Sequence, residues 1–265
     1  ELISSCMRLI LYYQESVEQN ADKYYNKAKK AKSKREGLKQ AMQKTHLQLE
    51  KAQKASQKAE KQAQTDEQLR TTKREWYEKF RWFFTSKGHL CIGGRDASSN
   101  EAIIKKYTDD TDHVFHTDMA GSPFFVLKSA SMSQEEAQEI AQATAAYSRA
   151  WEKGYGSIEV FTVKPDQVSK TAESGESLGT GAFVIRGKTT YVSVDRMAIA
   201  IGRTDDRIIG GPVQAVQAQA NMYVVVEQGR EKSSDMAKII RKRLGGGDID
   251  DIIRFLPAGG SKIAQ

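Results

Sequence analysis

Four side chains of metal-ligating type fall within seven positions: Asp112, His113, His116 and Asp118. On an extended strand side chains alternate, so Asp112, His116 and Asp118 would share a face, with His89 available as a further ligand. The helical or cysteine-rich spacing of established metal sites is absent. The group therefore reads first as hydrogen-bonding residues at a strand end or as a polar RNA contact. A metal-dependent hydrolase built on His113, His116 and Asp118 stands as an alternative. Gly187-Lys188-Thr189 invites a phosphate-loop reading, but the required earlier glycine falls at Ala182, one place past Gly181. The three residues also lie between two expected strands, as a hairpin turn, whereas a nucleotide loop opens a helix. No Ser/His/Asp or Cys/His arrangement stands out, and Cys91 sits in an apolar strand where a thiol is inert.

A different chemistry is written at Gln167-Val168-Ser169-Lys170-Thr171 and Ser174-Gly175-Glu176-Ser177-Leu178-Gly179-Thr180-Gly181. This hydroxyl- and glycine-rich loop has a lysine at its base and leads into Arg186 and Lys188. Backbone N–H groups, hydroxyls and fixed cations are what a sugar–phosphate chain requires; the alternative is an ordinary solvated loop. Lys105, Lys106 and Lys128 add cations nearby in sequence. A net charge of +7 agrees with an acidic partner without identifying one.

The elements that must hold these residues begin at an aromatic cluster. Trp76 to Phe84 places six aromatic residues in nine positions, read as a helix end with Trp76, Phe80 and Phe83 or Phe84 on one buried face. Strands are expected at 89–92, 113–117, 124–128, 158–163, 182–185 and 189–194. Helices are expected from about Ser99 to Tyr107, capped by Ser98 or Ser99, and from Gln134 to Trp151, opened by a Ser133/Glu136 capping box. Strands with helices between only some of them argue an α+β class. The last sixty residues read as an appendage: a long β-hairpin over 207–226, then short helices at 234–244 and 248–255.

Ahead of this domain, Tyr12 to Arg74 contains no proline and one glycine, Gly37. Tyr24, Ala28, Ala31, Leu38, Met42, Thr45, Leu49, Ala52, Ala55, Ala59 and Ala63 recur mostly at steps of three and four, the seam of a long coiled-coil helix. An alanine-rich seam buries little, so the helix needs a partner helix. Its lysines read as a solvated face or as a phosphate-tracking surface indifferent to base sequence. Two cysteines, Cys6 and Cys91, form no disulfide framework and suit a reducing, cytoplasmic setting. The opening apolar run, Leu2 to Tyr13, is too interrupted for a membrane span or a signal peptide.

The run Trp76–Phe83, then Gly93-Gly94-Arg95-Asp96-Ala97, Asn100-Glu101 and Lys105-Lys106-Tyr107, resembles the NFACT-R domain of the NFACT family (NEMF/RqcH-like proteins). The likeness continues through His116-Thr117-Asp118, Gly121-Ser122-Pro123, Lys128, Tyr147–Trp151, Gln167–Thr171, Gly175-Glu176, Thr180-Gly181 and Ile185–Lys188. Asn20–Tyr25 looks like the start of the second coiled-coil helix that precedes NFACT-R. The resemblance implies a division into 1–74 (coiled-coil helix), 75–204 (NFACT-R RNA-binding domain) and 205–265 (an archaeal-type ending). It implies a C-terminal piece of a cytoplasmic ribosome-associated quality control factor. Such a factor binds tRNA or peptidyl-tRNA and rRNA on a stalled large subunit and supports untemplated tailing of the nascent chain. The tRNA-recruiting Asp-Arg motif of the family lies in NFACT-N and has no counterpart here. The expected partner helix comes from the N-terminal part of the family's chain or from a second chain.

The expected function is thus a non-catalytic RNA-binding module without cofactor, metal or catalytic residue. Its phosphate or sugar contacts are assigned to Arg95, Lys105, Lys106, Lys128, Lys170, Arg186 and Lys188, with His116 near the same surface. Besides the hydrolase, a coiled-coil interaction scaffold is the other alternative.

Overall fold

The structure, a computed structural model, describes the backbone of residues 10–70, 75–171 and 178–264, and all of these side chains except those of 54–70. The chain divides into two units near Lys61, a helix and a mixed body, consistent with the expected long helix followed by an α+β domain.

Helix α1 (Val17–Arg70) has 54 residues, about 80 Å at 1.5 Å per residue. Its start lies later than the sequence suggested because Ser16 caps it. Ser16 Oγ accepts the Gln19 N–H at 3.2 Å and Gln19 Oε1 accepts the Ser16 N–H at 2.9 Å, a reciprocal cap. The buried Asn20 then ties the preceding segment down, accepting from the Tyr12 N–H and donating to the carbonyls of Tyr12 and Ser16. Leu38, Met42 and Leu49 are each more than half exposed, so no neighbour among the described residues covers that stretch of the expected seam.

The body opens with a 3-10 turn at Trp76–Lys79, followed by β1 (Arg81–Phe84), β2 (Leu90–Gly93), α2 (Ala97–Lys106), β3 (His113–His116) and β4 (Phe125–Leu127). Then come α3 (Gln134–Ala146), α4 (Arg149–Lys153), β5 (Ile158–Val163), β6 (Val168–Ser169), β7 (Val184–Ile185), β8 (Thr190–Val194) and β9 (Ala198–Arg203). The chain ends through β10 (Ile208–Gly211), α5 (Val213–Gln217), β11 (Met222–Glu231), α6 (Ser233–Arg243), α7 (Ile249–Phe255) and β12 (Ser261–Ile263). Strands form an antiparallel six-stranded sheet ordered β1-β2-β4-β3-β5-β8, a four-stranded sheet β10-β9-β11-β12, and a separate ribbon β6-β7. Helix α3 packs on the first sheet and on β9, and one core runs through both sheets.

Several local expectations are corrected. The aromatic cluster is a turn and a strand, not a helix end. Alternation lets Trp82 and Phe84 face Tyr77, with Trp82 also meeting Phe255, while Phe83 turns the other way to Phe125. Aromatic residues that can bury both faces of a strand favour this over a one-faced helix. The helix expected over 134–151 stops at Ala146 because Ser148 caps a new one, its Oγ accepting the Ala150 N–H. The hairpin expected over 207–226 is also absent: β10 and β11 both pair with β9, and α5 lies between them. Pro212 starts that helix, and the apolar run Ala198–Arg203 supplies the central strand.

Gly187-Lys188-Thr189 likewise joins the ribbon to the edge of the large sheet and is not a hairpin turn within one sheet. Ser174, Gly175, Glu176 and Ser177 of the expected phosphate loop, and Cys6, lie outside the described residues.

Candidate nucleic-acid interface

The local sequence after β2 builds a sharp entry into α2. Asp96, rather than either expected serine, is the N-cap; its carboxylate accepts the Ser99 N–H at 2.7 Å, and Ser99 Oγ accepts from the Asp96 N–H at 2.9 Å and the Arg95 N–H at 2.8 Å. The Ser99 N–H holds the Asp96 carboxyl below its ordinary range. One turn on, the buried Asn100 accepts the Phe124 N–H at 3.0 Å, tying α2 to the segment that enters β4. A Cβ on Gly94 would meet Asn100 Oδ1 at 1.8 Å, so the chain passes too close there for any side chain. His116 completes this wall. Its Nδ1 donates to the Pro123 carbonyl at 3.0 Å, and its ring lies flat on Phe124 with centroids 3.9 Å apart. Burial lowers the His116 pKa, against that hydrogen bond and Asp118, which raise it.

Glu101 fastens the opposite wall. One carboxylate oxygen accepts from Lys105 at 2.6 Å; the other accepts the Gly181 N–H at 2.9 Å and lies 3.3 Å from Lys170 Nζ. Those partners hold its pKa down to about 2, Lys105 contributing most. Lys170 also donates to the carbonyls of Gly179 and Ala182, at 2.8 and 3.1 Å, closing the described part of the Gly-rich segment into a strap. Gly181, at φ +75°, lies where a Cβ would be 2.5 Å from the Ala97 carbonyl oxygen. Strap and helix start are thus in backbone contact.

Between the walls is a cavity of about 390 Å³ lined by Arg81, Arg95, Asp96, His116, Phe124, Tyr147 and the glycines 94, 121 and 181, among others. Arg81 lies over the Tyr147 ring, 4.2 Å from its centroid, and its buried Nε has no hydrogen-bond partner. Tyr147 donates to the Phe255 carbonyl at 2.7 Å, and burial pushes its hydroxyl up to about 12. Arg95 donates to the Phe80 carbonyl at 3.0 Å; burial lowers its pKa first, then the nearby charges of Arg254 and Arg81. Positive charge therefore collects here, with Asp96 as the acid among the lining residues.

Of the residues singled out in the sequence, Arg95 and His116 line the cavity, while Lys105 and Lys170 meet on Glu101 beside it. Arg186 is exposed and donates to the Thr171 carbonyl at 3.2 Å, next to Lys170. Lys106 and Lys188 are exposed. Lys128 is placed differently: its ammonium pairs with Asp109 at 2.7 Å and with the buried Asp112, and donates to the Tyr107 carbonyl at 3.0 Å. Arg81 and Tyr147 were not singled out as site residues. The signal for Arg81 was present: a cation between two aromatic residues, Phe80 and Trp82, becomes, in a strand, a cation facing the core.

The hydrolase alternative is corrected. The pleat of β3 sends His113 and His116 to opposite faces: His113 Nε2 accepts from Lys164 at 3.1 Å while His116 lies on Phe124. Asp112 is bound to Lys128, and His89 to Glu136 at 2.7 Å. Among the described residues no three His, Cys, Asp or Glu side chains are grouped to hold a metal ion. Nor is any described helix long and apolar enough to cross a membrane.

Comparison with known proteins gives the same region a family. Residues 79–187 match the family described as NFACT protein RNA binding domain. An archaeal Rqc2 homolog, aRqcH of Methanocaldococcus jannaschii, is 40% identical over 201 residues, covering 73% of this chain and 30% of that protein. The ribosome quality control complex subunit NEMF homolog of Drosophila melanogaster and the human subunit NEMF are each 34% identical. Each match covers 65% of this chain, but 17% and 16% respectively of those proteins. The chain thus spans less than a third of these relatives, and the family match at 79–187 includes the cap of α2, the described part of the strap and the cavity between them. Residues 79–187 of this chain are thus an NFACT RNA binding domain, set in a chain similar to Rqc2 and NEMF proteins.

Proposed function

We propose that this chain is the RNA-binding portion of a ribosome-associated quality control factor, contacting tRNA or large-subunit rRNA through phosphates along the strap and the start of α2. The observation that carries the reading is the cleft between Arg95 and Gly181, where guanidinium groups and glycine backbone converge and the lining acid, Asp96, is already engaged by Ser99. Fixed cations and close backbone approach serve a sugar–phosphate chain without reading its sequence. The names of the curated relatives supply the ribosomal setting. In this reading Arg95, Lys105, Lys106, Arg186 and Lys188 meet phosphates. Lys170 holds the strap in place, His116 shapes the wall, and Lys128 supports the fold from its acid cage. Residues 75–204 carry the RNA-facing surface and 205–265 support it. Tailing of a nascent chain belongs to the longer assembly in which this portion works. The exposed face at Leu38, Met42 and Leu49 favours a partner helix from a longer chain or a second copy.

The test is a gel-shift titration of tRNA across a salt series. Tight binding at low salt that weakens steeply as salt rises supports the proposal, because released counterions drive the association. Absence of binding at low ionic strength contradicts it.

A further inference from the structure

The cavity holds more than a surface track for phosphates requires. The Arg81 Nε is buried with no hydrogen-bond partner, and burying such a group unpaired is costly. Arg81 lies over Tyr147, and Arg95 lines the same space. Asp96, the acid among the described lining residues, caps α2. An anion seated here would satisfy a guanidinium that the fold leaves incomplete, and a planar fork suits a phosphate oxygen pair. The opposite side is aromatic: the His116 ring stacked flat on Phe124, with Phe183 edge-on to Phe124 at 5.4 Å. At about 390 Å³ the space is within the range of small-ligand sites. Unstacked bases are held on such aromatic faces in single-stranded recognition.

We propose that this cavity seats one unpaired nucleotide of the bound RNA, its phosphate on Arg81 and Arg95 and its base against the His116–Phe124 stack. The proposal rests on the RNA-binding reading and adds that the contact requires a nucleotide free of base pairing.

The experiment titrates 5′-AMP, adenosine and inorganic phosphate into the full chain and follows the amide resonances of Gly94 and Gly181. AMP is expected to shift both amides at lower concentration than adenosine or phosphate. Arg81→Ala should weaken the AMP response about 10- to 100-fold, the loss of a charge-assisted contact. Arg81→Lys, which keeps the charge and loses the fork, and Arg95→Ala provide the same reading should Arg81→Ala not fold. The proposal is overturned if AMP leaves both amides in place, or if folded Arg81 and Arg95 variants respond as the native chain does. A tRNA gel shift on the same samples separates the two claims. RNA binding without an AMP response removes the nucleotide seat alone. An AMP response without RNA binding removes the wider reading alone.

Discussion

At the scale of single residues, Glu101 is the joint of the site. It is neither cation nor aromatic, and it joins Lys105, Lys170 and the Gly181 N–H through one carboxylate. Because its pKa is held to about 2, below the ordinary 4.5, its contribution is fully present above 4.5 and is lost as pH falls toward 2. The Gly181 amide resonance should therefore stay fixed through the ordinary carboxylate range and move only near pH 2. A midpoint near 4.5 would show that the strap is not held this way. Glu101→Gln should weaken tRNA binding even though it removes a negative charge, since the strap loses its anchor; tighter binding would contradict that assignment. His116 gives a pH effect of the same sign in a higher window. Burial disfavours its charged form, so folding favours neutral imidazole and stability declines as pH drops below the ordinary 6.5. Thermal melts of the native chain and His116→Phe across that window check this: the variant should show a smaller decline.

At the scale of elements, the strap works because a glycine at φ +75° lets its backbone touch the first turn of α2. Gly181→Ala adds a Cβ that meets Ala97 backbone and forces a left-handed conformation, a cost of about 1–3 kcal/mol, read as a lower melting temperature together with weaker tRNA binding. Unchanged melting and binding would mean the strap tolerates displacement. Much of this scale was legible in the residues. The Ser133/Glu136 cap set the start of α3, and short runs rich in β-branched and aromatic residues marked β3, β5 and β8. What escaped was decided by distant partners. Trp76–Phe84 satisfies a helical stripe locally, and only pairing with β2 and contact with Phe255 and Phe125 make it a strand. Arg81 was hidden by the same error, since on a helix it reads as solvated. Lys128 appeared as a free cation because its partners, Asp109 and Asp112, lie 19 and 16 residues away.

At the scale of the whole molecule, the body depends on its C-terminal stretch. Strand β9 lies between β10 and β11, and Ile199 and Ile201 on it are fully buried. A chain ended after Thr204 leaves β9 without either neighbour and bares those side chains, so it should lose cooperative melting; a sharp, native-like transition would contradict this. The basic surface and the cavity rely on that support. The central claim is that RNA phosphates are met at this cleft. Its most direct test is the slope of log tRNA affinity against log salt for the native chain and Arg95→Ala. Removing one phosphate contact should weaken binding and flatten the slope by about 0.7 to 0.9. An unchanged slope with unchanged affinity would place the RNA elsewhere on the molecule.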